Sequence, residues 1–177
     1  GMFENTYRCA RKAKEPVTGS AYWADAELAH RQSVVLLKND GVLPFSKKVD
    51  SVAVIGPLGA TGEIHGSWHC GGKIEETISV LEGLKNLLGD KVKYAKGCDI
   101  EYDAVDESFF DEACELAKTS ECVVLCIGEH QEYSGEGNCR TNIDLPEIQY
   151  KLLDRILAVN KNVAVALFTG RPLAISR

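Results

Sequence analysis

Nowhere does this chain approach the roughly 20 consecutive apolar residues that a membrane-spanning helix needs, so no span is expected. Its Lys and Arg residues are scattered singly and the net charge is −6. Phosphate binding needs a concentrated basic patch, so nucleic acid is not an expected partner. Cysteine is present but lacks metal-binding order: the seven cysteines form no CxxC pair and no Cys/His spacing suited to zinc. No Gly-Lys-Ser/Thr ending marks a nucleotide-binding loop. The first residues lack the basic region, apolar core and cleavage site of a signal peptide. What remains is 177 residues with 45% hydrophobic and 26% charged side chains, the make-up of an ordinary globular domain with a real core. A neutral ligand fits this balance, with no metal and no cofactor. So many thiols without a pairing pattern favour a reducing, cytoplasmic compartment.

Residues 1–48 read as a connecting segment followed by a helix from about Ala24 to Lys38. Leu28, Val35 and Leu36 form its stripe, with Asp25 near its start as a cap. Asn39, Asp40 and Gly41 break the pattern. From residue 49 onward, short apolar runs at 52–55, 92–95, 122–127 and 163–168 alternate with amphipathic stretches. Each run is nearly continuous in its apolarity, as expected of strands covered on both faces. Helical stripes lie between them: Ile78, Leu81, Leu84 and Leu88; then Phe109, Ala113 and Leu116, with Asp106 as a cap; then Ile148, Leu152, Ile156 and Val159, opened by Pro146 and Glu147. Strand, helix, strand repeated three times predicts a doubly wound α/β fold. Its mainly parallel sheet would be flanked by helices in a three-layer sandwich of Rossmann or flavodoxin-like type. Each crossover could step to either side, so the strand order stays open.

In such a sheet the strands' C-terminal ends share one edge, where ligands bind. The long polar loop at 128–146 leaves that edge and holds Glu129, Glu132, Glu136 and Arg140 among glycines. The loop after the first strand carries Trp68 between small residues, which reads either as a sugar-stacking platform or as a plug over the sheet. His65 and His69 are four apart, but the surrounding glycines argue against a helical metal pair. Gly56, Gly59 and Gly62 only superficially suggest a phosphate-binding turn. The acidic stretch at 99–103 reads as solvated surface.

Several segments occur in order along nearly the whole chain: Ser33-Val34-Val35-Leu36-Leu37-Lys38-Asn39, Val54-Ile55-Gly56-Pro57, Gly66-Ser67-Trp68, Gly128-Glu129, Glu136 with Arg140, Leu145-Pro146 with Gln149, and Gly170-Arg171-Pro172-Leu173. Together they resemble glycoside hydrolase family 3, nearest its bacterial periplasmic β-glucosidases. The resemblance is to the second, α/β sandwich domain, with residues 1–48 similar to the linker that joins it to a first, TIM-barrel domain. It implies that Glu136, in Ser134-Gly135-Glu136-Gly137, is a general acid/base, while the nucleophile belongs to the barrel. It further implies that Arg140 anchors the loop or a neighbouring carboxylate and that Trp68 flanks the substrate; with these two, Glu129 and Glu132 of the same loop are supporting candidates for substrate binding. One common form of the pattern has Asp where Cys139 stands. Substrates would be terminal β-D-glycosides or β-linked oligosaccharides, and the compartment periplasmic or secreted, against the indication from cysteine.

A retaining glycosidase needs two carboxyl groups about 5–5.5 Å apart, one attacking and one protonating the leaving oxygen. An acid that stays protonated near neutrality needs burial and a second carboxylate beside it. The chain by itself is therefore expected not to hydrolyse glycosides. Family members continue past the Gly-Arg-Pro-Leu segment into more sheet, so an open edge is expected here, able to pair with another copy in a homo-oligomer. Two other readings use the same fold: a non-catalytic carbohydrate-binding or structural accessory domain, and a flavodoxin-like nucleotide binder with phosphate at residues 56–62.

Overall fold

The structure, a computed structural model, describes residues 3–9, 22–69, 71–133 and 135–176. It divides into two compact units, residues 1–39 and 40–177. The expected boundary at 48/49 falls inside the second unit, because Phe45 and Val49 pack into that unit's core.

In the first unit, helix α1 spans Trp23–Ser33. It ends five residues short of the expected Lys38, with Val34 already extended at φ −76° and ψ 126°. Consecutive β-branched valines lose side-chain freedom in a helix and favour this extended state. None of the residues in α1 is buried, and Leu28, Val35 and Leu36 are 54%, 73% and 65% exposed. Among the described residues the expected stripe is exposed. Asp25 lies in the first turn, where its charge favours the helix dipole, but it is not the cap; that position is Tyr22. Residues 10–21 of the expected connecting segment lie outside the described residues.

The second unit holds four parallel strands, β1 (Val52–Ile55), β2 (Val92–Ala95), β3 (Cys122–Gly128) and β4 (Val163–Phe168), in the order β2-β1-β3-β4. Between them run α2 (Val80–Leu88), α3 (Phe110–Thr119) and α4 (Glu147–Val159). Alternate strand residues point to opposite faces. Ala53, Ile55, Val123, Leu125 and Ile127 pack with Phe110, Ala113 and Ala117 of α3 and Ile148, Leu152 and Ile156 of α4. Val52, Val54, Cys122 and Cys126 meet Val80, Leu81, Leu84 and Leu88 of α2 on the other face. The molecule is a three-layer α/β sandwich. Each fully buried Ile or Leu contributes about 1.5–3 kcal/mol relative to exposure.

Details of the helices differ from the periodic reading. Ser79 starts α2 in a capping box: its Oγ accepts from the Glu82 N–H, and Glu82 in turn accepts from the Ser79 N–H. Ile78 thus stays outside the helix and is exposed. In α3 the buried aromatic is Phe110 rather than Phe109, and Asp106 accepts from Ser108 two residues before that helix. Only β1 and β3 are covered on both faces. In the edge strands Lys93 and Val165 are exposed, the latter at 47%.

Five free cysteines are described. Cys122 and Cys126 are buried strand residues, as their apolar setting suggests, and Cys98 joins the core on the α3/α4 face. Burial pushes the thiols of Cys98 and Cys126 up to about 12 and raises that of Cys122. Among the described residues no helix is long and apolar enough to cross a membrane.

Candidate active site

From β1 the chain steps to β2 on one side and afterwards to β3 on the other. The helices that make these steps, α2 and α3, lie on opposite faces. A crevice opens where the winding reverses, outside the C-terminal ends of β1 and β3. Gly56 and Gly128 occupy those two ends. A Cβ at Gly56 would stand 2.1 Å from the Cys126 carbonyl oxygen, and one at Gly128 would stand 2.0 Å from that of Phe168. Only glycine lets the neighbouring strands approach so closely at the points where the two loops depart.

The loop after β3 starts from a fixed base. Gln149, fully buried on α4, accepts from the Gly128 N–H at 2.8 Å and donates to the Gly128 carbonyl at 2.9 Å. Next in the chain, Glu129 is held between Arg140 at 2.5 Å and Arg171 at 2.8 Å, with its side chain 5% exposed. Thr169 donates to its second oxygen at 3.3 Å. Burial would raise the Glu129 pKa, but the Arg171 hydrogen bonds and the charges of Arg171 and Arg140 outweigh it, and the carboxyl is held below its ordinary value. Glu129 is an ionised anchor whose oxygens are already occupied.

Arg171 also donates to the carbonyls of Arg140 at 2.6 Å and Asn142 at 2.8 Å, tying the loop's returning limb to the end of β4. Arg140 donates to the Asp144 carbonyl. Its guanidinium carbon lies 4.2 Å from the ring centre of Tyr102 and 5.2 Å from that of Tyr133. Both are cation–π contacts. Buried Nε of Arg140 has no hydrogen-bond partner.

Between these anchors Glu136 projects on an exposed turn, flanked by Gly135 and Gly137 at φ 122° and 81° and closed by an Asn138 N–H bond to the Gly135 carbonyl. Glu136 and Asn138 share an open cleft of about 360 Å³ with Gly135, Ser67 and Trp68. The two loops touch: a Cβ at Gly135 would lie 2.6 Å from Ser67 Oγ and 3.0 Å from Trp68 Nε1. Trp68 is 63% exposed, so it walls the cleft and plugs nothing. Glu132, exposed on the short 3-10 turn Gln131–Tyr133, does not line the cleft.

The glycines at 56, 59 and 62 make no phosphate cradle. The Leu81 N–H, in the first turn of α2, is already donated to the Gly59 carbonyl at 2.9 Å, so this helix end is engaged by the turn's own backbone. His65 pairs with Thr77 and His69 with the Gly66 carbonyl. Among the described residues no group of three or more His, Cys, Asp or Glu could hold a metal ion.

The model of the glycosyl hydrolase family 3 C-terminal domain matches residues 34–177. The chain belongs to this family. A periplasmic β-glucosidase of Salmonella typhimurium is 35% identical across 99% of this chain and 26% of its own length. A β-xylosidase of Formosa agariphila is 40% identical across 85% of the chain and 22% of its own. Among solved structures, a β-glucosidase of Listeria innocua in complex with isofagomine superposes with a TM-score of 0.84 at 30% identity, across 99% of this chain and 24% of that one. The chain thus spans about a quarter of the length of these relatives.

Within this family 3 domain the structure joins four of the five anticipated residues in two groups: Trp68 with Glu136 around the cleft, and Glu129 with Arg140 in the anchor. Glu132 belongs to neither. Arg171, Gln149 and Tyr102 carry as much of the geometry as the residues singled out from the sequence. For Arg171 and Gln149 the available signal was their place in the motif segments. Tyr102 lay hidden in an acidic stretch.

Proposed function

We propose that this domain supplies the general acid/base carboxyl, Glu136, of a retaining β-glycosidase of β-glucosidase or β-xylosidase type. The attacking carboxylate would come from a barrel domain elsewhere in the parent protein. The supporting observation is that the open cleft is lined by one carboxylate, Glu136, beside an exposed tryptophan, on a loop anchored firmly at both ends. Such a carboxyl can reach a sugar bound in the opposing domain and protonate its leaving oxygen. Trp68 offers a flat apolar face to a sugar ring. Glu129 and Arg140 hold the loop, and Glu132 is left to contact substrate only from the rim. The relatives' names support β-linked glycosides as the substrate class, and the likeness to a periplasmic relative supports a location outside the cytoplasm.

Glu136→Gln in the full-length parent enzyme tests this reading. Hydrolysis of glycosides with poor leaving groups should fall by about 10²–10⁴, while those with acidic phenol leaving groups, which need little protonation, should lose far less. Equal loss for all leaving groups would remove Glu136 from the acid role.

A further inference from the structure

Glu136 sits on the stretch between Tyr133 and Arg140, in a turn closed by the Asn138–Gly135 backbone bond. That bond gives the turn its shape; its place in the molecule depends on the two limbs that carry it and on its contact with Ser67 and Trp68. The outgoing limb is held where the Tyr133 hydroxyl donates to the Ile100 carbonyl at 3.2 Å. Burial raises the pKa of that hydroxyl, against a hydrogen bond from the Tyr102 backbone. The returning limb is held at Arg140 and Asn142 by Arg171. The limbs meet where the Arg140 guanidinium faces the Tyr133 ring.

Tyr102 is the outside element at this neck. It arrives from the loop after β2, its ring lies nearest the Arg140 guanidinium, and its hydroxyl accepts from Asn142 Nδ2 at 2.5 Å. It therefore touches the returning limb twice, while its own loop holds the outgoing limb at Ile100. The Arg140 guanidinium is held in its plane by Glu129 and the Asp144 carbonyl through its two terminal nitrogens, its Nε edge is without a partner, and the aromatic rings of Tyr102 and Tyr133 pack against it. At 43% exposure, Tyr102 is not required to fill a core.

We propose that Tyr102, through its ring on Arg140, is a positioning residue for Glu136; this rests on the acid/base reading above. Loss of the ring should let the neck open and displace the carboxyl without disturbing the cleft wall at Trp68. Misplacement of a catalytic group by as little as 1 Å can cost up to about a hundredfold in rate. The cost should grow with the demand for protonation.

The test uses the full-length parent enzyme and aryl β-glycosides whose leaving phenols span a wide range of acidity, with Glu136→Gln as reference. Tyr102→Leu should lower kcat/KM, which reports the step that expels the leaving group, about tenfold for the poorest leaving groups and less than about twofold for dinitrophenyl glycosides. Tyr102→Phe, which keeps the ring, should recover most of the loss. Should Tyr102→Leu fail to fold, Tyr102→Met makes the same comparison. A uniform loss across leaving groups, no loss, or a Phe variant as impaired as the Leu variant would overturn the inference. If Glu136→Gln itself shows no leaving-group dependence, the acid/base reading and this inference fall together. If it does and Tyr102→Leu does not, only the role of Tyr102 fails.

Discussion

The side chain of Gln149 bridges the N–H and the carbonyl of Gly128, at 2.8 and 2.9 Å, from a fully buried position on α4. It fastens the first residue of the Glu136 loop to the helix that follows that loop. Both ends of the excursion are thereby tied to one rigid element.

Replacing Gln149 with Leu keeps the volume and leaves two buried backbone groups unsatisfied. At about 1–3 kcal/mol for each such group, the isolated domain should lose roughly 2–6 kcal/mol. The urea midpoint of a purified Gln149→Leu domain checks this; a midpoint equal to wild type would mean that water satisfies both groups.

Glu129 ties stability to pH. Its folded-state pKa is lowered, so its stabilising contribution is present above the unfolded carboxyl value of about 4.3 and is lost as pH falls through the lower folded value. Glu129→Gln leaves Arg140 and Arg171 facing each other without their shared carboxylate. It should cost about 3–5 kcal/mol at pH 7. The deficit should shrink once the wild-type carboxyl is itself protonated. Denaturation curves from pH 7 down to pH 3 on both proteins measure the difference; a gap independent of pH would exclude ionisation as its source.

Trp68 separates binding from folding. Because it is 63% exposed, Trp68→Ala should change domain stability by no more than about 0.5 kcal/mol. In the parent enzyme the same change should raise KM for a disaccharide more than for an aryl glycoside. A large drop in melting temperature, or no change in KM, would count against a sugar platform.

All four strands stand where their apolar runs placed them, because a parallel sheet buried by helices leaves an unmistakable local signal. Their order was not legible, since nothing local tells β3 to cross back over β1. Val35 and Leu36 continue the apolar period of the first helix, yet they lie beyond its end at Ser33 and are exposed, because the valines favour extended backbone. Within the site, Glu129, Glu136 and Arg140 lie on one loop, so sequence could place them together, while Arg140 pairs with Glu129 and not with Glu136. Arg171 and Tyr102 reach that loop from the ends of β4 and β2, across separations of 42 residues to Glu129 and 40 to Asn142. Only the strand order brings them there.

The buried thiols bear on where such a protein can work. Cys98 and Cys126 titrate near 12 and Cys122 is raised as well, so thiolate, the form that attacks disulfides and oxidants, is scarce at these three positions at neutral pH. These three cysteines pack as small apolar filler with little thiolate to react. The cysteine count favours the cytoplasm, but these three core positions carry none of that argument and are compatible with secretion; of the five free cysteines described, Cys139 is the exposed one that an oxidising milieu would reach.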